Sequence, residues 1–110
     1  MNGNQLVDRA VGALAGAAVG DALGGATEGW ESREIFEHQG GWVEGVIVSI
    51  RHQRNMLKPF SPFWKGEGHV TDDTLMTRVL VQAYAQKRDH LDAYDMERLV
   101  VPAIVDEAMW

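Results

Sequence analysis

The sequence predicts an all-α fold in which an irregular insert separates the first and second long helices. Residues 6–23 are rich in alanine and leucine, which favour helix. From Thr71 onward, apolar side chains recur at helical spacing. Residues 43–50 favour a strand locally, but one isolated strand has no partner to pair with. The chain has 110 residues, which fits one small domain or a piece of a larger one.

The first predicted helix, residues 6–23, has apolar residues on all its sides, and this pattern predicts that it is buried. Gly12, Gly16 and Gly20 repeat every four residues and form a ridge without side chains. Each glycine lowers helix stability by about 0.5–1 kcal/mol relative to alanine, a cost that close packing of another backbone would offset. The alternative is a loosely helical glycine-rich segment. The glycine pair at 24–25 predicts the end of the helix.

The insert begins with short elements and continues as a basic, aromatic stretch. Ser32 is a candidate N-cap for a short helix that runs to about His38, and the glycine pair at 40–41 predicts a turn. Residues 51–66 contain four Lys or Arg, three aromatic rings and no acidic residue. Such a stretch can bind phosphates or stack on a base. The alternative is a solvated loop that its aromatic rings anchor to the core.

The second long helix is predicted to begin at Thr71, and its apolar stripe marks the face that packs on the core. Lys87 and Arg88 close this helix, where cations interact favourably with the helix dipole. A third helix is predicted from about Asp95, with Pro102 kinking or splitting it. The stripe consists of Leu75, Met76, Val79, Leu80, Ala83 and Tyr84.

The composition excludes several kinds of site and partner. Because the chain has no cysteine, a disulfide scaffold, a thiolate metal site and a cysteine nucleophile are excluded. Its 16 acidic and 10 basic residues give a net charge of −6, which argues against general nucleic-acid binding. The longest uncharged apolar run, residues 10–20, is shorter than the roughly 18–20 residues of a membrane span. Asp8 offsets Arg9, so a signal peptide is disfavoured, and we expect a cytoplasmic protein without membrane contact.

The segment with the most chemical information is Gly-His-Val-Thr-Asp-Asp-Thr at residues 68–74. Helix capping explains an oxygen-rich helix start without any further function. Asp72 and Asp73, however, each precede the apolar stripe by one turn, so at least one carboxylate is expected to point along it. A carboxylate near a core is costly unless it is paired or binds a metal. Together with Thr71, the two aspartates offer up to three of the about six oxygen ligands that Mg²⁺ takes.

Two further acids stand out by their position. Asp21 lies at the C-terminal end of the first predicted helix, where the dipole disfavours an anion, and this predicts a specific partner. Glu28 follows in a predicted loop, where the alternative is an ordinary surface acid.

These residues resemble the motifs of the ADP-ribosylglycohydrolases, the family of the dinitrogenase-reductase-activating glycohydrolase. Residues 16–24 read Gly-Ala-Ala-Val-Gly-Asp-Ala-Leu-Gly. Glu28 has the expected offset from the aspartate of that motif, and residues 68–76 follow in the correct order. The resemblance covers about residues 5–90, which is the N-terminal portion of the family's sequence.

The resemblance implies the N-terminal part of an orthogonal, all-helical fold with two Mg²⁺ ions in a central cleft. It implies that Thr71, Asp72 and Asp73 bind metal and that Glu28 and Asp73 act in catalysis. The implied reaction hydrolyses the bond between C1 of the distal ribose and its acceptor, in an ADP-ribosylated protein or a small-molecule conjugate. The acceptor, whether arginine, serine, an acetyl group or a nucleic-acid base, stays open.

One motif of the family has no counterpart in this sequence. Relatives carry a second metal motif, Asp-x-Asp-Thr, near their C-terminus, and no such group follows Asp73 here. We therefore expect residues 1–110 to be an N-terminal fragment of a single such domain, with incomplete catalysis. A truncated domain would expose apolar faces and self-associate. The alternative function is a non-catalytic scaffold, or an ADP-ribose- or nucleotide-binding protein of the same fold.

Overall fold

The computed structural model of the chain describes residues 2–47 and 66–108. The chain divides into two compact units, Met1–Thr71 and Asp72–Trp110. The described part is mostly helical and contains no strand, so the all-α prediction is confirmed. Residues 51–65 of the basic, aromatic stretch and the end of the predicted strand, residues 48–50, lie outside the described residues.

The first unit begins with α1, Gly3–Gly24. A capping box starts this helix: the Asn2 side chain accepts from the Gln5 backbone N–H, and the Gln5 side chain accepts from the Asn2 backbone N–H. The helix ends at the glycine pair, as the sequence predicts, and a 3-10 turn, Gly25–Thr27, follows directly. The predicted helix is therefore confirmed and is three residues longer at its start than the sequence pattern indicates.

The burial predicted for α1 is wrong. No residue of α1 is buried, and apolar side chains such as Leu6, at 60% exposure, and Val11, at 59%, face open space. A Cβ atom added at Gly12, Gly16 or Gly20 meets no atom of the described residues within 4 Å. The ridge has no close backbone neighbour in the described part of the chain, since helical spacing determines which residues share a face but not what covers that face.

The segment Gly3–Thr27 is also long enough and apolar enough to cross a membrane, by length and composition alone. The segment includes Asp8, Arg9 and Asp21, whereas the uncharged run of residues 10–20 includes none of them. The core helix of a soluble protein and an N-terminal signal sequence meet the same criterion.

The second helix of this unit, α2, spans Ser32–Gln39. Its N-cap is Glu31 rather than Ser32, and the cap makes no side-chain hydrogen bond. Gly40 ends α2 in the left-handed region at φ 70°, which confirms the predicted turn. Residues 43–47 form no strand, contrary to the sequence prediction, because β-branched side chains favour extended backbone but no neighbouring strand pairs with it among the described residues.

The second unit contains α3, Asp72–Lys87, and a continuous helical path from residue 93 to residue 108. That path consists of a one-turn helix α4, Ala93–Asp95, a π-helical turn, Met96–Val100, and α5, Val101–Ala108. The core of the unit consists of Val79, Ala83 and Val100, with Leu91, Leu99, Ala103 and Ile104 packed against it.

The apolar stripe predicted for α3 is buried only in part. Of the predicted stripe on α3, only Val79 and Ala83 are buried, while Met76, Leu80 and Tyr84 are exposed. The helical path changes from the π-helical turn to α5 at Val101, one residue before Pro102, close to where the sequence predicts a kink or a split. Proline has no N–H to donate, so the regular hydrogen bonding of an α-helix is interrupted at this residue.

An ion-pair network around the buried Asp95 joins α3 to the following helical path within the second unit. Asp95 is only 3% exposed and accepts hydrogen bonds from Lys87 and from Arg98, the latter at 3.3 Å. The Lys87 hydrogen bond holds the pKa of the Asp95 carboxyl well below its usual range, and the same bond raises the pKa of Lys87. A capping box between Asp92 and Asp95 completes the network.

Candidate functional site

Thr71 is the one residue of the predicted metal triplet that lies in the first unit, and it is held there by Asp21. The Thr71 backbone N–H donates to Oδ2 of Asp21 at 2.7 Å, and the Thr71 hydroxyl donates to Oδ1 at 2.5 Å. Each carboxylate oxygen therefore accepts one hydrogen bond from the same residue, 50 positions further along the chain. Hydrogen bonds to an ionised carboxylate are shorter and stronger than bonds between neutral groups.

This pair confirms the partner that the position of Asp21 predicts. The last turn of α1 presents carbonyl groups and the negative end of the helix dipole, which disfavour an anion. Asp21 is partly buried there, and two donors from Thr71 offset the loss of hydration. The carboxylate and its buried partner, 3% exposed, thus stabilise each other.

Gly25 lies close to the Cγ2 methyl group of Thr71. A Cβ atom placed on Gly25 would lie 2.9 Å from Cγ2 of Thr71. Two non-bonded carbon atoms do not come this close, so one of them would have to move. Gly25 is buried, and its backbone N–H donates to the Asp21 carbonyl. Glycine is therefore required here by the close approach of Thr71, in addition to marking the end of α1.

The loop before Thr71 is tightly turned and contacts residues 46 and 47 of the same unit. Gly66, Glu67 and Gly68 all have positive φ values, of 100°, 55° and 79°. The Glu67 N–H donates to the carbonyl of Ile47 at 3.1 Å, and a Cβ on Gly68 would lie 3.6 Å from Val46. The sequence Gly-x-Gly supplies the left-handed conformations that this turn needs. These contacts fix the end of the loop and so place Thr71 next to Asp21.

Asp72 and Asp73 form the first turn of α3, and both are exposed. Asp72 lies seven residues before Val79 and therefore on the same face of α3, as the sequence predicts, but this face is exposed at its first turn, so neither carboxylate is buried. At the N-terminus of a helix the free N–H groups and the dipole favour anions, so the two charges need no buried partner. Both carboxylates are accessible to a ligand.

Glu28 lies directly after the 3-10 turn and is exposed. The turn itself is held by a bond from the Thr27 hydroxyl to the Gly24 carbonyl at 3.2 Å and by one from the Trp30 N–H to the Thr27 carbonyl at 3.0 Å. Glu28 and Thr71 therefore belong to the first unit, and Asp72 and Asp73 to the second.

The chemistry of these donors fits a hard divalent cation in kind but not in number. A hydroxyl that donates its proton retains two lone pairs, and two exposed carboxylates add the oxygen ligands that Mg²⁺ prefers. Thr71, Asp72 and Asp73 supply three oxygen-bearing side chains against the roughly six ligands of an octahedral site. Across residues 2–47 and 66–108, no three His, Asp or Glu side chains gather as they would around a metal ion.

Sequence reasoning missed Gly25 as part of the site. The signal was present in the glycine pair at 24–25, but a glycine pair is fully explained by the end of a helix. Only the position of Thr71 shows that the second glycine also makes room for a side chain.

The model of the ADP-ribosylglycohydrolase family matches residues 2–107 and so includes Asp21, Glu28 and the triplet at 71–73. The chain belongs to the ADP-ribosylglycohydrolase family. Comparisons with curated proteins and with solved structures gave no significant match. At the level of its family, the chain is therefore an ADP-ribosylglycohydrolase-type hydrolase with a helical fold.

Proposed function

We propose that the chain takes part in Mg²⁺-dependent hydrolysis of an ADP-ribosyl glycosidic bond, in a modified protein or a small-molecule conjugate. The observation that carries this proposal is the fixed position of Thr71. It is buried and held by two hydrogen bonds, and two exposed carboxylates follow it directly in the sequence. Membership of the family supplies the class of reaction.

In this proposal the oxygens of Thr71, Asp72 and Asp73 hold the cation. When bound, Mg²⁺ orients the ribose hydroxyls and a water molecule and lowers the pKa of that water. The exposure of both carboxylates allows them to reach a ligand without the cost of burying a charge. The remaining ligands are water or groups that the described residues do not include.

Glu28 and Asp73 are the proposed catalytic carboxylates. Cleavage breaks the bond between C1 of the ribose and the acceptor, and the oxygen of water bonds to C1. A carboxylate accepts a proton from the water and passes a proton to the acceptor as it leaves, so the carboxylate ends the reaction ionised. Glu28 suits this role because it is exposed at the end of a short, hydrogen-bonded turn. That residues 1–110 form the N-terminal portion of one such domain stays a prediction.

The test measures free ADP-ribose released by the purified protein, in Mg²⁺ and in excess chelator. ADP-ribose linked to arginine, to serine and to an acetyl group covers the main acceptor classes. Asp72→Asn and Asp73→Asn are compared with Asp106→Asn, which makes the same charge change at an exposed position of α5. We expect release that needs Mg²⁺, that is reduced at least about 100-fold in the first two variants, and that is unchanged in the third.

Equal release by all variants, or release that persists in chelator, would contradict the assignment. If no substrate is cleaved but ADP-ribose still binds the protein, the alternative of a binding protein with the same fold replaces the hydrolytic one.

A further inference from the structure

We propose that Asp21 is a positioning residue for the metal site and acts through Thr71. This inference rests on the proposed function, because Thr71 is taken there as a metal ligand. It adds to that function a residue that does not itself contact the metal or the substrate.

The geometry separates Asp21 from an ordinary structural acid. Its two carboxylate oxygens accept hydrogen bonds from two different groups of Thr71, the backbone N–H and the side-chain hydroxyl. The bond to the N–H fixes the backbone of Thr71, while the bond to the hydroxyl fixes the rotation of its side chain. Gly25 lies close to Cγ2 of Thr71, so the side chain has little freedom to rotate.

The chemistry of the hydroxyl gives this geometry a consequence for a cation. A hydroxyl bound to a metal must direct a lone pair at it, so its proton must point elsewhere. In this structure the proton points to Oδ1 of Asp21. The ionised carboxylate also increases the negative charge on the hydroxyl oxygen, as partners of metal ligands do in other sites. Asp21 therefore prepares the Thr71 oxygen to act as a ligand.

The experiment titrates the purified protein with Mn²⁺, which replaces Mg²⁺ as a spectroscopic probe, and measures free Mn²⁺ by electron paramagnetic resonance. Asp21→Asn removes the charge and can accept only one of the two bonds. Asp21→Glu keeps the charge but moves the carboxylate by one carbon. Asp8→Asn is the control, since Asp8 lies exposed on the same helix. All proteins are measured at a temperature at which circular dichroism shows them folded.

We expect Asp21→Asn and Asp21→Glu to bind Mn²⁺ about 10–100-fold more weakly than the wild-type protein, and Asp8→Asn to bind it equally well. If Asp21→Asn does not fold, Asp21→Glu carries the comparison. Unchanged affinity in the folded Asp21 variants would overturn the inference and leave the proposed function in place. Weaker binding by Asp21→Asn alone would also overturn it, because charge rather than position would then be responsible. A wild-type protein that binds no Mn²⁺ would overturn both.

Discussion

Replacing Asp21 by asparagine should destabilise the first unit even without any metal. The asparagine amide keeps one oxygen, which can accept from either the backbone N–H or the hydroxyl of Thr71, while its NH₂ group faces the other donor. One hydrogen bond to a charged group is therefore lost, and one donor of the buried Thr71 faces the NH₂ group instead of an acceptor. Such a bond contributes about 1.5–3 kcal/mol, so we expect a loss of about 2 kcal/mol in the free energy of unfolding.

Thermal unfolding followed by circular dichroism in the presence of chelator measures this loss. For a unit of this size, 1 kcal/mol corresponds to about 4–8 °C, so the melting temperature should fall by roughly 8–16 °C. Hydrogen exchange gives a local measure, since the Thr71 amide should exchange much faster in Asp21→Asn. Asp8→Asn should stay within about 0.5 kcal/mol of the wild-type protein. If both variants melt together and the Thr71 amide is equally protected in both, Asp21 does not hold Thr71.

Two further predictions concern packing and pH. Gly25→Ala should lower the free energy of unfolding by about 1–3 kcal/mol, because its Cβ would displace Thr71. Gly12→Ala, whose Cβ would meet no atom of the described residues within 4 Å, should stabilise α1 by about 0.5–1 kcal/mol. Equal effects of the two variants in thermal unfolding would refute the close approach of Gly25 and Thr71. Because the pKa of Asp95 is lowered, this group stabilises the fold at pH values above its ordinary pKa of 3.8, and the stabilisation is lost as the pH falls through the lowered pKa. Because the pKa of Lys87 is raised, that group stabilises the fold at pH values below 10.5, and the stabilisation is lost as the pH rises through the raised pKa. Asp95→Asn should therefore flatten the fall in melting temperature between neutral and acidic pH, and an unchanged slope would contradict the ion pair.

The elements of the fold that depend on local sequence were predictable. Helix α1 follows from helix-forming residues and from the glycine that ends it, and α3 follows from a regular apolar spacing. Burial was not predictable in the same way, because it depends on which other elements lie against a face. The ridge of glycines on α1 shows this, since the spacing suggests close packing and the described residues provide no neighbour.

For the site too, local features were predictable from the sequence and contacts between distant residues were not. A carboxylate at the C-terminal end of a helix indicates that Asp21 has a partner, but nothing local identifies Thr71, which is 50 residues away. The exposure of Asp72 and Asp73 depends on how much of α3 is buried, which the stripe of apolar residues overstates. Local chemistry therefore selects the candidates, while only the folded chain shows which of them are paired.

Calorimetric titration with Mg²⁺ tests the central claim most directly, namely that Thr71, Asp72 and Asp73 hold a divalent cation. The account predicts saturable binding by the wild-type protein that is at least about 10-fold weaker in Asp73→Asn and unchanged in Asp106→Asn. No binding up to millimolar Mg²⁺, or equal binding by all three proteins, would contradict it.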